Sequence, residues 1–314
     1  MAPAVAPGTT PAMKLSVVIC THDRYDTLAT CVGRLVGSAG FADPRCDLLV
    51  VENTPAPRRR PIALPKGRRA RLSVCETPGL SNARNHAIAH SGGDVIAFLD
   101  DDALVADDWC TRILDRMQSD RELLVLGGRV EPLYAGDALP PWYDDRLAGY
   151  LSCIDWGLTP RFLRDGEWVV GANIAFRRDV FDTYGKFDAD LGRRGSGSLL
   201  SNEETALLAR VGLHRVFYDP AMAVRHMIPA ERMTPRWFRR RVWWQATSDM
   251  VAGNVRDDDP ALREEYGRLM ARLEPEHRNI NALMFDPTDK ETFQVQLRAI
   301  YLAAVMLGHG GVTR

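Results

Sequence analysis

The stretch Asp94-Val95-Ile96-Ala97-Phe98-Leu99-Asp100-Asp101-Asp102 decides how this chain folds. Its apolar run is short and continuous, as in a strand buried on both faces, and it stops at three adjacent carboxylates. The pattern recurs upstream. Leu15-Ser16-Val17-Val18-Ile19-Cys20 leads into Thr21-His22-Asp23-Arg24, and Asp47-Leu48-Leu49-Val50-Val51 ends in Glu52-Asn53. Arg71-Leu72-Ser73-Val74-Cys75 is a further strand candidate. Between these runs, 25–36 places Leu28, Cys31, Val32 and Leu35 at helical spacing, and 81–90 also reads as a helix. Short apolar runs alternating with amphipathic helices predict an α/β fold: a mainly parallel, Rossmann-like sheet flanked by helices. Such sheets bind ligands beyond the carboxyl ends of their strands, and three of these runs end in polar groups, at 21–23, 52–53 and 100–102.

Further along, 123–130, 168–176 and 223–227 read as strands, and 203–211 reads as a short helix stopped by Gly212. Past Pro229 the pattern is helical over 237–250, 261–273 and 292–307. This divides the chain into a loose proline-bearing tail (1–13), an α/β domain (14–228) and a helical C-terminal extension (229–314). Within the domain a further division falls between 14–105 and 106–228.

Of the 314 residues, 46% are hydrophobic and 26% charged, a balance that excludes wholesale disorder and collagen-like or mucin-like chains. Forty basic against forty-one acidic side chains leave a net charge of −1, so no nucleic-acid partner is expected. The six cysteines are scattered without a CxxC pair and suit free thiols in a reducing compartment. MAPAVAPGTTPAM lacks the cationic start and apolar stretch of a secretory signal. No uncharged apolar run approaches the roughly 20 residues that span a bilayer. A cytoplasmic protein is therefore expected. The segment 58–71 holds seven basic residues and no acid, and its prolines mark a solvated loop.

Adjacent carboxylates repel. Two charges about 4 Å apart cost roughly 1 kcal/mol in water and about 4 kcal/mol at an effective dielectric of 20. A hard divalent cation, Mn²⁺ or Mg²⁺, reverses that sign, and its remaining positions are commonly filled by water and substrate phosphates. The triplet therefore points to a metal and a phosphorylated substrate. A structural alternative is that an aspartate caps the next helix, but Asp107 and Asp108 stand closer to Trp109 for that role.

VVICTHDR, VVEN, GLSNARN and FLDDD fall in this order within about ninety residues. Together they resemble the family 2 glycosyltransferases of GT-A fold, over roughly 14–227. The resemblance implies an inverting, metal-dependent transfer of a hexose from a nucleoside diphosphate sugar, with a UDP-sugar favoured, to a hydroxyl acceptor. It makes 14–105 the nucleotide-binding half and 106–228 the acceptor half, and places Thr21, Asp23 and Arg24 at the nucleotide pocket. Glu52 stands where the family usually has Asp, at a position associated with base or ribose, and Arg84 matches a basic residue near the nucleotide. Asp100 and Asp101 match donor contacts. Asp102 matches the principal metal ligand, with Asp100 beside it, and His226 falls where some GT-A enzymes add a histidine ligand.

An inverting displacement needs a base to take the acceptor's proton, a contribution of typically 10²–10⁴-fold. Ser201-Asn202-Glu203-Glu204 resembles the family's acid pair, whose second member is the base. That assigns the role to Glu204 with Glu203 in support. The same residues also spell a capping box, Ser201-x-x-Glu204, which would leave Glu203 facing the acceptor. Gly171, Ala172 and Asn173 match the strand bordering donor sugar and acceptor, Asn173 offering its amide to sugar hydroxyls. The loop 192–198 reads as a lid or an ordinary connection. Trp142, Tyr143, Tyr150, Trp156 and Trp168 crowd the acceptor half, with Trp156 a candidate sugar platform, although such rings more often pack into cores. The run 236–244 interleaves arginines with aromatics, either as a packed helix with a basic outer face or as a peripheral contact with the inner face of a membrane. Two rival functions are a nucleotidyltransferase, disfavoured because the first loop has no glycine, and an inactive GT-A-like binding module. A Rossmann dehydrogenase is disfavoured by the lack of GxGxxG after the first strand.

Overall fold

A computed structural model describes residues 12–66, 69–136, 138–193 and 199–308. In chain order its first half comprises β1 (Leu15–Thr21), α1 (Tyr25–Gly37), β2 (Cys46–Glu52), β3 (Ala70–Val74), α2 (Leu80–His90) and β4 (Val95–Asp100). There follow β5 (Ala103–Val105), α3 (Trp109–Ser119), β6 (Val125–Tyr134), β7 (Arg161–Phe162), β8 (Asn173–Arg177), α4 (Asp179–Thr183), α5 (Glu203–Val211) and β9 (Val216–Ile228). The extension holds α6 (Pro235–Val251), α7 (Pro260–Ala271) and α8 (Lys290–Met306).

The strands join one sheet in the order β3-β2-β1-β4-β8-β6-β9-β5, with β7 also on β9. The first four are parallel, as their continuous apolar runs require. Beyond β4 the sheet becomes mixed: β8 is antiparallel to β4 and β6, and β5 and β7 are antiparallel to β9. That change of direction matters for the site. It brings β9 back past β5 in a register that sets His226 opposite Ala103, next to the acidic triplet.

Elements in the first half fall within about two residues of where the sequence places them. Later ones differ more. The strand expected at 168–176 starts only at Asn173, because 169–172 form a cleft wall instead. The strand expected at 223–227 extends back to Val216 to pair in parallel with β6. Their ladder shifts register between Gly128 and Val130, and a Cβ on Gly128 would stand 1.7 Å from the Met222 carbonyl oxygen. Asp108 precedes α3 but gives its backbone no side-chain cap. Its carboxylate pairs with Arg112 instead, at 2.7 Å.

β1, β4 and Trp109 lie in the core. Trp142 and Tyr143 are also core residues. Trp142 packs on Phe293 of α8 and Phe238 of α6, at ring-centroid distances of 4.8 and 5.7 Å. The extension thus shares its packing with the α/β part. α6 buries Phe238, Arg239, Arg241 and Val242 and turns Arg236, Arg240 and Trp243 outward. No helix among the described residues is long and apolar enough to cross a membrane. The tail 1–11 and the loop residues 194–198 lie outside the described residues.

Candidate active site

The triplet is held by charges from both halves of the sheet. Thr21 Oγ1 donates to Asp101 at 2.7 Å, and Arg24 pairs with Asp101 at 3.0 Å and with Asp102 at 2.5 Å. Arg232 stands 3.6 Å from Asp102. Burial, only partly offset by Arg24, pushes the Asp101 carboxyl up to about 7. Burial also opposes the charge on Asp102, but His226, Arg24 and Arg232 hold that carboxyl well below the usual range.

His226 Nδ1 lies 2.9 Å from the Leu151 carbonyl oxygen, and Nε2 lies 2.9 Å from Asp102 Oδ1. A carbonyl can only accept, so Nδ1 carries a proton. Facing a carboxylate, Nε2 must carry a second proton or offer its lone pair to a cation. Burial lowers the His226 pKa, but Asp102 outweighs it and raises it to about 10. Ligand atoms of Asp100, Asp102 and His226 lie within 4.8 Å of one another. Two carboxylates and an imidazole form a donor set that suits Mn²⁺, so these residues fit the expected ion.

Across the cleft, α5 starts directly at the acid pair. The residue before it, Asn202, takes a left-handed conformation (φ 81°), tied by its amide to Asp249 (2.8 Å) and Gln245 (3.1 Å) of α6. No capping box forms. Asn202 occupies the cap, and Glu204 Oε1 accepts from the Gly171 N–H at 3.0 Å and from Arg84 at 2.9 Å. Arg84 also binds Glu203 at 2.9 Å and stands 3.6 Å from Asp100. This buried guanidinium is therefore the counter-ion of the acid pair and lines the cleft beside Glu203 and Glu204 rather than beside Thr21, Asp23 and Arg24. A Cβ on Gly171 would fall 2.0 Å from Arg84 Nη2 and 2.1 Å from Glu204 Oε1, so any larger residue must push one of these two groups aside. Burial and then Glu204, against Arg84, push Glu203 up to about 7. For Glu204, burial is outweighed by Arg84 and a backbone N–H, and the carboxyl is lowered.

The cleft has two lobes. One, of about 400 Å³, is lined by Thr21, Asp23, Arg24, Asn53, Asp100 and Asp101 with Arg58, Arg193 and Arg232. The other, of about 600 Å³, is lined by Arg84, Tyr150, Trp168, Gly171, Ala172, Glu203 and Glu204, with Arg241, Gln245 and Asp249 from α6. Leu80, Asp100 and Arg193 belong to both walls.

Three expected contacts are not in place. Asn173 is fully buried in β8: its amide donates to the carbonyls of Arg129 and Met222 and accepts from Trp109 Nε1, so nothing remains for a sugar. Trp156 lines neither lobe. It packs edge-on against Trp168 at 4.8 Å and bonds its carbonyl, buttressing the ring that does line the cleft. Glu52 is buried, with Oε1 on the Thr54 N–H and Oε2 unpartnered, and it lines neither lobe, whereas Asn53 does. The α6 contribution was missed. Arg241, Gln245 and Asp249 are spaced i, i+4, i+8, a polar stripe along one side of the helix that could have flagged a cleft-facing side.

A parallel sheet turning mixed, with a carboxylate–imidazole cluster at its strand ends and an acid pair across a two-lobed cleft, defines the architecture: this is the GT-A fold. The family model described as "Glycosyl transferase family 2" matches residues 16–185, more than half the chain, and the chain belongs to that family. Membership sets aside the nucleotidyltransferase alternative. The chain is 25% identical over 309 residues to the glucosyl-dolichyl phosphate glucuronosyltransferase of Haloferax volcanii, covering 95% of each protein. It is 26% identical over 312 residues to the succinoglycan biosynthesis protein ExoM of Rhizobium meliloti, covering 94% of this chain and 93% of that one. In fold it is similar to the mannosyltransferase PcManGT from Pyrobaculum calidifontis, solved with GDP-Man and Mn²⁺. The TM-score is 0.57 at 14% identity, over 98% of this chain and 90% of that one.

Proposed function

We propose that the chain transfers a hexose, with inversion, from a nucleoside diphosphate sugar to a hydroxyl acceptor, and requires a divalent cation at Asp100, Asp102 and His226. One observation carries this reading. The Arg84 guanidinium touches Asp100 on one side and both Glu203 and Glu204 on the other, so the acidic cluster and the acid pair front the same cleft. When bound, Mn²⁺ or Mg²⁺ supplies charge neutralisation for the departing diphosphate. Thr21, Asp23 and Arg24 line the lobe that takes the nucleotide, with Arg58 and Arg232 adding positive charge along its phosphates.

Glu204 is the base. Its side chain is 16% exposed against 3% for Glu203, and it stays ionised while Glu203 holds its proton up to about 7. Arg84 and the Gly171 N–H orient the carboxylate, and Trp168 and Ala172 offer an apolar wall to a sugar ring. Attack from the Glu204 lobe on an anomeric carbon held near Asp100, at the junction of the lobes, is a single displacement and inverts configuration. A UDP-sugar remains the favoured donor. Relatives named for glucosyl-dolichyl phosphate and for succinoglycan favour a glycan hydroxyl as acceptor, and the outward Arg236, Arg240 and Trp243 suit contact with an anionic membrane surface on the cytoplasmic side.

The test is a calorimetric panel of nucleoside diphosphates with Mn²⁺, Mg²⁺ or chelator, followed by nucleotide-sugar hydrolysis. Cation-dependent binding of one diphosphate is expected, with Glu204→Gln lowering turnover by roughly 10²–10⁴-fold at near-normal donor affinity. If Glu203→Gln gives that phenotype instead, the two acids exchange roles. Binding of no nucleotide favours an inactive binding module.

A further inference from the structure

α6 brings a charge to the cleft that sugar transfer, as described, leaves unused. Arg241 lines the larger lobe and is 8% exposed. Its Nη2 donates to Gln245 Oε1 at 2.9 Å and to Ser201 Oγ at 3.2 Å. Nε and Nη1 are buried without a hydrogen-bond partner. No carboxylate among the described residues forms an ion pair with it, because the nearby acids are engaged. Asp249 accepts from Asn202, Gln245 and Tyr301, and Glu203 accepts from Arg84. Arg193, on the wall shared by both lobes, likewise has no carboxylate in ion-pair contact among the described residues. Burial first, and then Arg193, pull Arg241 down to about 10, so it remains charged at neutral pH. A buried guanidinium with two unpartnered nitrogens is costly unless a ligand accepts from them.

We propose that Arg241 and Arg193 bind a phosphate group carried by the acceptor, while the acceptor's hydroxyl meets Glu204 in the same lobe. Two guanidiniums with no ion-pair partner among the described residues match a dianion better than the single charge of a carboxylate. The proposal rests on the Glu204 lobe being the acceptor side.

Inorganic phosphate is titrated calorimetrically into the protein, both free and saturated with its nucleoside diphosphate and Mg²⁺ so that the nucleotide lobe is filled. Failure of every nucleotide to bind counts against the transfer reading alone. Phosphate is expected to bind the nucleotide-saturated protein at one further site. Arg241→Gln should weaken that binding at least tenfold with nucleotide affinity within twofold of wild type, and Arg241→Lys should recover part of it. Arg193→Gln should weaken it several-fold and serves if the Arg241 variants do not fold. A role for Arg241 in merely bracing Ser201 and Gln245 would move the melting temperature and leave phosphate binding unchanged. The proposal is overturned if phosphate does not bind the nucleotide-filled protein, if both Gln variants bind it as wild type does, or if acetate binds equally well. Tighter binding of a polyprenyl phosphate in detergent than of a hexose 1-phosphate supports the site and places the phosphate on a lipid carrier. The opposite order supports it and places the phosphate on a soluble acceptor.

Discussion

At the scale of single residues, the acid pair is held by crowding as much as by charge. Gly171 leaves room for Arg84 and Glu204 to meet at 2.9 Å while its own N–H binds the same carboxylate oxygen. In Gly171→Ala the new methyl must displace one of them. A misplacement of about 1 Å at a reacting group can cost on the order of 10²-fold. Turnover should fall by about that factor while nucleotide affinity, measured by calorimetry, stays within twofold, and unchanged turnover would show that the Arg84–Glu204 contact is dispensable. Glu203 gives a second test. Its folded pKa, about 7, lies above the ordinary 4.5, so the folded state binds the extra proton between those values. Stability from this group is complete below pH 4.5, declines as pH rises, and is lost above about 7. Glu203→Gln cannot ionise, so its stability relative to wild type should improve from pH 5 to pH 8 by on the order of 2 kcal/mol. Parallel urea curves at the two pH values would refute the buried neutral acid.

At the scale of elements, the start of α5, where the acid pair stands, is set by its neighbour in space rather than by its own sequence. α5 was legible as 203–211 from apolar spacing and Gly212, and the structure begins and ends it there. What precedes it was not legible. A Ser-x-x-Glu spacing spells a capping box only if Ser201 is the cap, and the left-handed turn at Asn202 moves the cap one residue on. That turn depends on Gln245 and Asp249, which lie more than forty positions away, and Asp249 is fixed in turn by Tyr301 of α8 at 2.8 Å. Glycine at 202 would keep the conformation and remove the ties, whereas alanine adds about 1–2 kcal/mol of left-handed strain. Asn202→Gly should therefore unfold within about 1 kcal/mol of wild type in urea and still lose turnover roughly tenfold, by the positioning argument already applied to Gly171. Asn202→Ala should lose both. Wild-type turnover in Asn202→Gly would mean that the α6 ties do not position Glu204.

For the whole molecule, the sheet's topology assembles a site that the sequence holds in distant pieces. The parallel half was legible because strands buried on both faces must be continuously apolar, and that constraint also exposes their polar ends, where Thr21, Asp23, Arg24, Asp100 and Asp101 line one lobe. The mixed half carries no such signal. Asn173 reads alike whether its amide meets a sugar or three core groups, and only the position of β8 between β4 and β6 decides. His226 reaches Asp102 through the β5–β9 register, which no local pattern encodes. The same assembly separates folding from chemistry in a way that can be measured. Without an ion, Asp102 is already compensated by Arg24, Arg232 and His226, so the fold does not depend on a cation. Chelator should therefore leave the protein folded and remove only the stabilisation that binding adds, about 2.7 kcal/mol at a hundredfold excess over Kd, while turnover disappears and returns with Mn²⁺ or Mg²⁺. Asp102→Asn should abolish the thermal shift with the ion and the recovery of turnover. His226→Gln removes the one imidazole and should weaken ion binding by at least tenfold, a loss of about 1.4 kcal/mol. Full turnover in chelator would remove the ion from the reaction, and a wild-type thermal shift in both variants would place it outside Asp100, Asp102 and His226, although no other cluster among the described residues brings three such ligands together.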